Sequence, residues 1–167
     1  MDTLFLRKIF VKRQFMYLHQ ELTHKIIAAA IEVHKNLGPG LLEAVYRLCL
    51  GLEFESYGLK YQKEVPIPLL YKDQKIDHCF RLDFLVENEI ILELKSIETM
   101  LPIHEAQLLT YLRLSRKQVG LLINFNVPVL KLGVRRCILS KPECGHAYDS
   151  KVSNFISAEK EHEALRR

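Results

Sequence analysis

Residues 76–87 and 90–97 each alternate apolar with polar side chains, and a short polar segment at 87–89 separates them. A period of two is typical of β-strands, because successive side chains point to opposite faces of a sheet. The pattern therefore predicts two strands joined by a tight turn. Pairing around that turn would place Asp83 alongside Glu93.

Helical and extended patterns elsewhere predict the order helix, helix, three strands, helix, strand. The predicted elements cover residues 18–37, 41–57, 59–70, 76–87, 90–97, 102–114 and 118–125, and residues 134–139 are a candidate for one more strand. A strand that follows a crossover helix should run parallel to the strand before that helix. Pro66 and Pro68 favour an edge position for the first strand. This order predicts an α/β sandwich with a mixed central sheet flanked by helices.

Each of the first two helices has an apolar stripe that we expect to face the core. The stripes are Ile26, Ala30, Val33 and Leu37 in the first helix, and Leu42, Val45, Cys49 and Leu52 in the second. Gly38, followed by Pro39, is a typical end for the first helix, and Gly58 closes the second.

The length of 167 residues suits one domain. We place it at 18–139, between an N-terminal extension at 1–17 and a mobile C-terminal tail at 140–167. Met16 is an alternative start of the chain. Basic residues interrupt the apolar run of the extension, so neither a secretory signal nor a membrane helix is expected.

The net charge of +4 permits a polyanionic partner without requiring one. Four cysteines occur without a C-x-x-C pair, which favours reduced thiols in a cytoplasmic protein. No membrane partner is expected.

Asp83, Glu93 and Lys95 are the candidate chemical centre. Two carboxylates held side by side repel each other unless a cation lies between them, and Mg²⁺ prefers such oxygen ligands. The carbonyl of Leu94 could add another oxygen, and the Lys95 ammonium could orient or help deprotonate a water and offset charge on a phosphoryl group. The alternative is a cross-strand ion pair on a solvated face. The apolar neighbours of these charges favour the metal site.

Residues 40–46, Gly-Leu-Leu-Glu-Ala-Val-Tyr, form a G-x-x-E-x-x-Y motif. The chain resembles the family of that name, a branch of the PD-(D/E)XK nuclease superfamily, from about residue 22 to 139. The resemblance includes Arg-Leu-Asp-Phe-Leu-Val, Ile-Leu-Glu-Leu-Lys-Ser and His-Glu-Ala-Gln-Leu-Leu-Thr-Tyr-Leu. It implies a restriction-endonuclease-like fold.

The resemblance also assigns roles to individual residues. It implies that the catalytic residues are Asp83, Glu93, Lys95, Glu43 and Gln107. It also implies that Glu43 is a further metal ligand, direct or through water. It places Gln107 and Tyr111 in the motif of an exonuclease branch associated with recombination helicases, where we expect them to act on the substrate.

Other residues near these motifs favour plainer explanations. A carboxylate at Glu43 would be favoured by the helix dipole even without a metal. Tyr46, one turn later, is expected to pack. His34 and His104 could serve the site, but a hydrogen-bonded structural histidine is favoured for each.

These features together predict a deoxyribonuclease that depends on Mg²⁺ or Mn²⁺ and is exonuclease-like on single strands. DNA is favoured over RNA as its partner. The alternative is a nucleic-acid-binding or complex-forming module that keeps the nuclease fold but turns over poorly.

Overall fold

The computed structural model describes residues 17–139. Its helices and strands are α1 (Gln20–Leu37), α2 (Glu43–Ser56), β1 (Tyr61–Tyr71), β2 (Gln74–Val86), β3 (Ile90–Lys95), α3 (Pro102–Ser115), β4 (Val119–Asn124) and β5 (Val134–Ile138), with a 3₁₀ turn at Leu130–Gly133. The predicted order is confirmed, including the candidate strand β5. The predictions for residues 1–16 and for the tail at 140–167 lie outside the described residues.

Within residues 17–139 the five strands form one sheet in the order β1-β2-β3-β4-β5. Strands β3 and β4 are parallel, and every other neighbouring pair is antiparallel. The mixed sheet and the parallel fourth strand are therefore as predicted. Strand β1, which contains Pro66 and Pro68, lies at an edge, where a missing backbone N–H leaves the sheet intact.

The sheet separates two hydrophobic cores. Helices α1 and α2 cover one face, where Ile26 and Phe54 pack with Leu92. Helix α3 covers the other face, where Leu108 packs with Ile91. This is the predicted α/β sandwich. None of the helices described here is long and apolar enough to cross a bilayer.

The stripe predicted for α2 is wrong. Leu42 is 77% exposed and Leu52 and Val45 are exposed as well, while Cys49 is only partly covered. The buried side chains are instead Tyr46, Leu50 and Phe54. Helix α2 is apolar on two sides, and the side with two aromatic rings buries more surface, so it faces the sheet. In α1 the predicted stripe is confirmed except for Leu37, which is exposed at the last turn.

In the β1–β2 hairpin, the alternation of side chains between the two faces of the sheet reverses at Glu64 and Asp83. In β1, Tyr61 packs on the first core and Val65 on the second, although an even spacing should keep both on one face. Glu64 lies between them with a φ of 53°, in the left-handed region. The register of the surrounding pairs sets Glu64 opposite Asp83. The irregularity therefore lies next to the candidate site.

Candidate active site

Strand β3 supplies Glu93 and Lys95. Its other face, with Leu92 and Leu94, is buried in the first core, so the two charged side chains share the opposite face. The Lys95 Nζ donates a hydrogen bond of 2.7 Å to Oε1 of Glu93. The two side chains are only 15% and 7% exposed. This is a nearly buried ion pair and not a solvated one.

Asp83 lies where β2 separates from β3. Their ladder ends with Phe84 opposite Leu92, so the next positions along the two strands are Asp83 and Glu93. The Leu94 backbone N–H donates a hydrogen bond of 2.8 Å to Oδ2 of Asp83. The hairpin thus brings the two carboxylates together, as its turn predicts.

The start of α2 brings Glu43 to the same place. The Tyr46 hydroxyl donates to the Gly38 carbonyl at 2.7 Å and accepts from the Leu41 N–H at 3.1 Å. It fixes the loop before α2, where Gly40 has a φ of 94° that favours glycine. Tyr46 is fully buried, as its expected packing role requires.

Glu43 lies within electrostatic reach of the strand residues. Partial burial raises the pKa of the Glu43 carboxyl and the negative charge of Asp83 raises it further, while Lys95 and Arg47 lower it. Three carboxylates therefore lie in one cluster with two cations, Lys95 and Arg47. The favourable interaction of Glu43 with the helix dipole does not by itself account for this clustering.

Arg47 is a site residue that the sequence did not reveal. Its Nε lies 2.9 Å from Oδ1 of Asp83, and its terminal nitrogens lie 3.4 Å from Glu43 and 3.5 Å from Glu64. The only signal in the sequence is its position one turn after Glu43, a spacing that allows an ion pair on many surface helices.

Helix α3 supplies Gln107 and Tyr111. The Gln107 amide donates a hydrogen bond of 2.5 Å to the Tyr111 hydroxyl. Partial burial raises the pKa of Tyr111, and the charges of Glu93 and Asp83 raise it further, so the hydroxyl lies near the carboxylates. The Tyr111 side chain packs against Phe80, and the residue is only 4% exposed, which leaves the ring no open face for a base to stack on.

Asn124 is a second residue that the sequence did not reveal. It pairs with Lys95 in the parallel register and is 2% exposed. Its amide donates to the Ile97 carbonyl at 2.8 Å, and its oxygen accepts from the backbone N–H groups of Ile97 and Asn126. Asn124 thus holds the chain just beyond Lys95.

The two candidate histidines have structural partners. His34 lies 2.8 Å from the Val127 carbonyl oxygen, with its Nε2 placed to donate. His104 accepts a hydrogen bond from the Leu101 N–H through Nδ1, at the start of α3. Both histidines therefore have the hydrogen bonds that a structural role predicts.

The residues present fit a hard divalent cation. Oε2 of Glu93 is buried and has no hydrogen-bond partner among the described atoms. Such an oxygen is costly unless a cation or a donor reaches it. Among the side chains that the structure describes, no three of His, Cys, Asp or Glu are already close enough to share one ion. Mg²⁺ does not require three, because it is usually bound through one or two carboxylates and keeps several waters.

Burial raises the pKa of Glu93 from 4.5 to about 7. Between these values the unfolded carboxyl has lost its proton while the folded one keeps it, so stability should fall as pH rises through this window. In chelator we expect Glu93→Gln to be more stable than the wild type at pH 8 by up to about 3 kcal/mol, with a smaller gap at pH 5. Urea unfolding at both pH values measures this. Glu32→Gln, on the exposed side of α1, is the control. A difference in unfolding free energy between Glu93→Gln and the wild type that is the same at both pH values would contradict the prediction.

One of the three comparisons with known proteins gives a match. A family model described as the PD-(D/E)XK nuclease superfamily matches residues 20–137, a span that contains Glu43, Asp83, Glu93, Lys95 and Gln107. No curated protein and no solved structure gives a match. The mixed sheet between helices has the restriction-endonuclease-like arrangement that this family model implies. The chain belongs to the PD-(D/E)XK nuclease superfamily.

Proposed function

We propose that the protein is a nuclease that uses Mg²⁺ or Mn²⁺ to hydrolyse phosphodiester bonds of DNA. The observation that carries this proposal is the buried, unpartnered Oε2 of Glu93 beside Asp83. An ordinary cross-strand ion pair would leave no carboxylate oxygen buried without a partner. The Lys95 ammonium on the same face supplies the positive charge that phosphoryl transfer requires.

In this proposal Asp83, Glu93 and the Leu94 carbonyl hold the cation, and Glu43 joins them directly or through water. The bound ion would lower the pKa of a water and polarise a phosphoryl oxygen. The Leu94 N–H fixes one oxygen of Asp83, which leaves the other, Oδ1, for cations.

Lys95 acts as an ammonium in this proposal. Burial lowers the pKa of Lys95, but the hydrogen bond and charge of Glu93, together with the charges of Glu43 and Asp83, raise it by more, so the net direction is upward. A protonated amine cannot take a proton from water. It can orient the attacking water and stabilise negative charge on the phosphoryl oxygens.

Three finer assignments belong to the same proposal. We assign the chain to the G-x-x-E-x-x-Y branch, since Glu43 reaches the site and Tyr46 fixes the loop before it. We favour an exonuclease-like action on single-stranded DNA, because Gln107 and Tyr111 follow the motif of that branch. We also favour DNA over RNA as the substrate.

A cleavage panel tests the activity. Single-stranded, double-stranded and branched DNA and RNA are incubated with Mg²⁺, Mn²⁺ or Ca²⁺, and with EDTA. We expect cleavage of DNA with Mg²⁺ or Mn²⁺ and none in EDTA, because the candidate ligands are oxygens. Asp83→Asn is the matched inactive control. Cleavage that persists in EDTA would overturn the metal mechanism.

A nucleic-acid-binding module with little turnover is the second candidate function. One observation favours it: each strand carboxylate already has a cationic partner, Arg47 for Asp83 and Lys95 for Glu93. The same panel decides between the two functions. Binding in a gel-shift assay without product at any divalent ion concentration would favour the module.

Gln107 should act on the substrate and not on the metal. Its amide is a poor Mg²⁺ ligand beside carboxylates, but it can hydrogen-bond a phosphate or position the Tyr111 hydroxyl. We expect Gln107→Ala to lower cleavage by about tenfold, the effect of roughly one lost hydrogen bond. Calorimetric Mn²⁺ affinity should stay at the wild-type value. Loss of Mn²⁺ binding would instead make Gln107 a metal ligand.

A further inference from the structure

We propose that Arg47 is an exchangeable counter-ion of Asp83, which a divalent cation must displace, and that Glu64 receives the displaced guanidinium. This inference rests on the proposed metal-dependent function. It makes Arg47 a positioning residue that sets how tightly the site takes its cation.

The contact between Arg47 and Asp83 is held by charge. Nε of Arg47 lies 2.9 Å from Oδ1 of Asp83, yet this buried N–H forms no hydrogen bond there because the angle is unfavourable. The Leu94 N–H already holds Oδ2, so Oδ1 is the oxygen on which Arg47 and a divalent ion would compete. An ion pair without hydrogen-bond geometry is easier to exchange than a bidentate one.

The rest of the guanidinium reaches two other carboxylates. One terminal nitrogen lies 3.4 Å from Glu43 and the other lies 3.5 Å from Glu64. Glu64 lies opposite Asp83 across the β1–β2 hairpin and is about half exposed. A small rotation of the Arg47 side chain would therefore exchange one carboxylate for its neighbour without leaving the charge unpaired.

Electrostatics gives the direction of the effect. Glu43, Asp83 and Glu93 repel one another, and when no metal ion is bound Arg47 reduces that repulsion together with Lys95. A divalent ion at Asp83 would bring two positive charges beside the guanidinium, and like charges repel. Arg47 should therefore stabilise the protein in chelator and weaken its affinity for metal.

Arg81 is a matched control in the same chain. It also contacts Glu64, at 3.4 Å, but its described ion pair is with that residue and its side chain is largely exposed. Arg81→Met removes the same charge and a similar side chain near the site without removing the partner of Asp83.

Calorimetric titration with Mn²⁺ and thermal unfolding test the inference. We expect Arg47→Met to bind Mn²⁺ about tenfold more tightly than the wild type, since one neighbouring charge changes such equilibria by one or more powers of ten. Its melting temperature should lie below that of the wild type in EDTA and approach it in saturating Mn²⁺. Glu64→Gln should weaken Mn²⁺ binding, and Arg81→Met should bind like the wild type.

Unchanged or weaker Mn²⁺ binding by Arg47→Met would overturn the inference while leaving the metal site in place. A melting temperature that stays equally low with Mn²⁺ would also overturn it, because a merely structural role predicts that result. If Arg47→Met does not fold, stronger binding by Glu64→Gln decides against the inference and weaker binding supports it. If neither the wild type nor Arg47→Met binds Mn²⁺, the proposed function and the inference fail together.

Discussion

Replacement of Lys95 by methionine should lower the rate of DNA cleavage by about a thousandfold. An electrostatic donor at the reacting group contributes about two to three powers of ten, and water positioning adds to this. Methionine keeps most of the length of the side chain, so packing changes little. Single-turnover cleavage at saturating Mg²⁺ measures the chemical step. Lys35→Met, at an exposed ion pair on α1, is the control and should cleave at the wild-type rate.

The Mn²⁺ affinity of Lys95→Met separates its role from that of the carboxylates. Lys95 is the hydrogen-bonded partner of Glu93, so its removal should not weaken cation binding. The expected variant therefore binds metal and does not cleave. A variant that cleaves normally would show that Lys95 only neutralises Glu93, as in the ion-pair alternative.

Asn124→Ala should lower the free energy of unfolding by about 3 kcal/mol. The change removes three hydrogen bonds at a buried position and leaves the Ile97 N–H and carbonyl without partners. Each buried group left unpaired costs about 1–3 kcal/mol. Urea unfolding measures the effect, with Asn126→Ala as the control, because Asn126 joins this network only through its backbone N–H.

Asn124→Ala should also lower the rate of DNA cleavage, because the segment after Lys95 is no longer held by the Asn124 side chain. Asn124→Asp separates the acceptor role of this side chain from its donor role. It keeps the acceptor for the Ile97 N–H but loses the donor to the Ile97 carbonyl. A loss of less than 1 kcal/mol in Asn124→Ala would mean that water replaces the side chain and that the loop is held by other contacts.

The parts of the fold that depend on local pattern were predictable from the sequence. The alternation around the 87–89 turn gave the hairpin, and the i, i+2 spacing of Glu93 and Lys95 gave their shared face. Pro66 indicated the edge strand because a missing N–H is a local property. The proximity of Asp83 and Glu93 followed from the turn alone.

Features that depend on distant partners were not predictable. Helix α2 has two apolar sides, and its aromatic contacts decide between them, since the ring of Tyr46 stacks on that of Phe125, just beyond β4, with centroids 4.4 Å apart. The pair of Arg47 and Asp83 joins residues from two elements that the sequence separates widely. In the sequence, Asn124 looks like any polar residue at the end of a strand. Its role depends on contact with Ile97, in the segment after β3, which the sequence does not show.

The two turns of the three-stranded region should differ in their tolerance to changes in length. The turn at Lys72 and Asp73 joins β1 to β2 at the far end of their ribbon, so an inserted residue there leaves the distance from Asp83 to Glu93 unchanged. An insertion at 87–89 would shift β2 by one position against β3 and move Asp83 to the other face. The turn between Asp83 and Glu93 therefore has to keep its length. Insertions and deletions in related chains should occur mainly at the turn of Lys72 and Asp73.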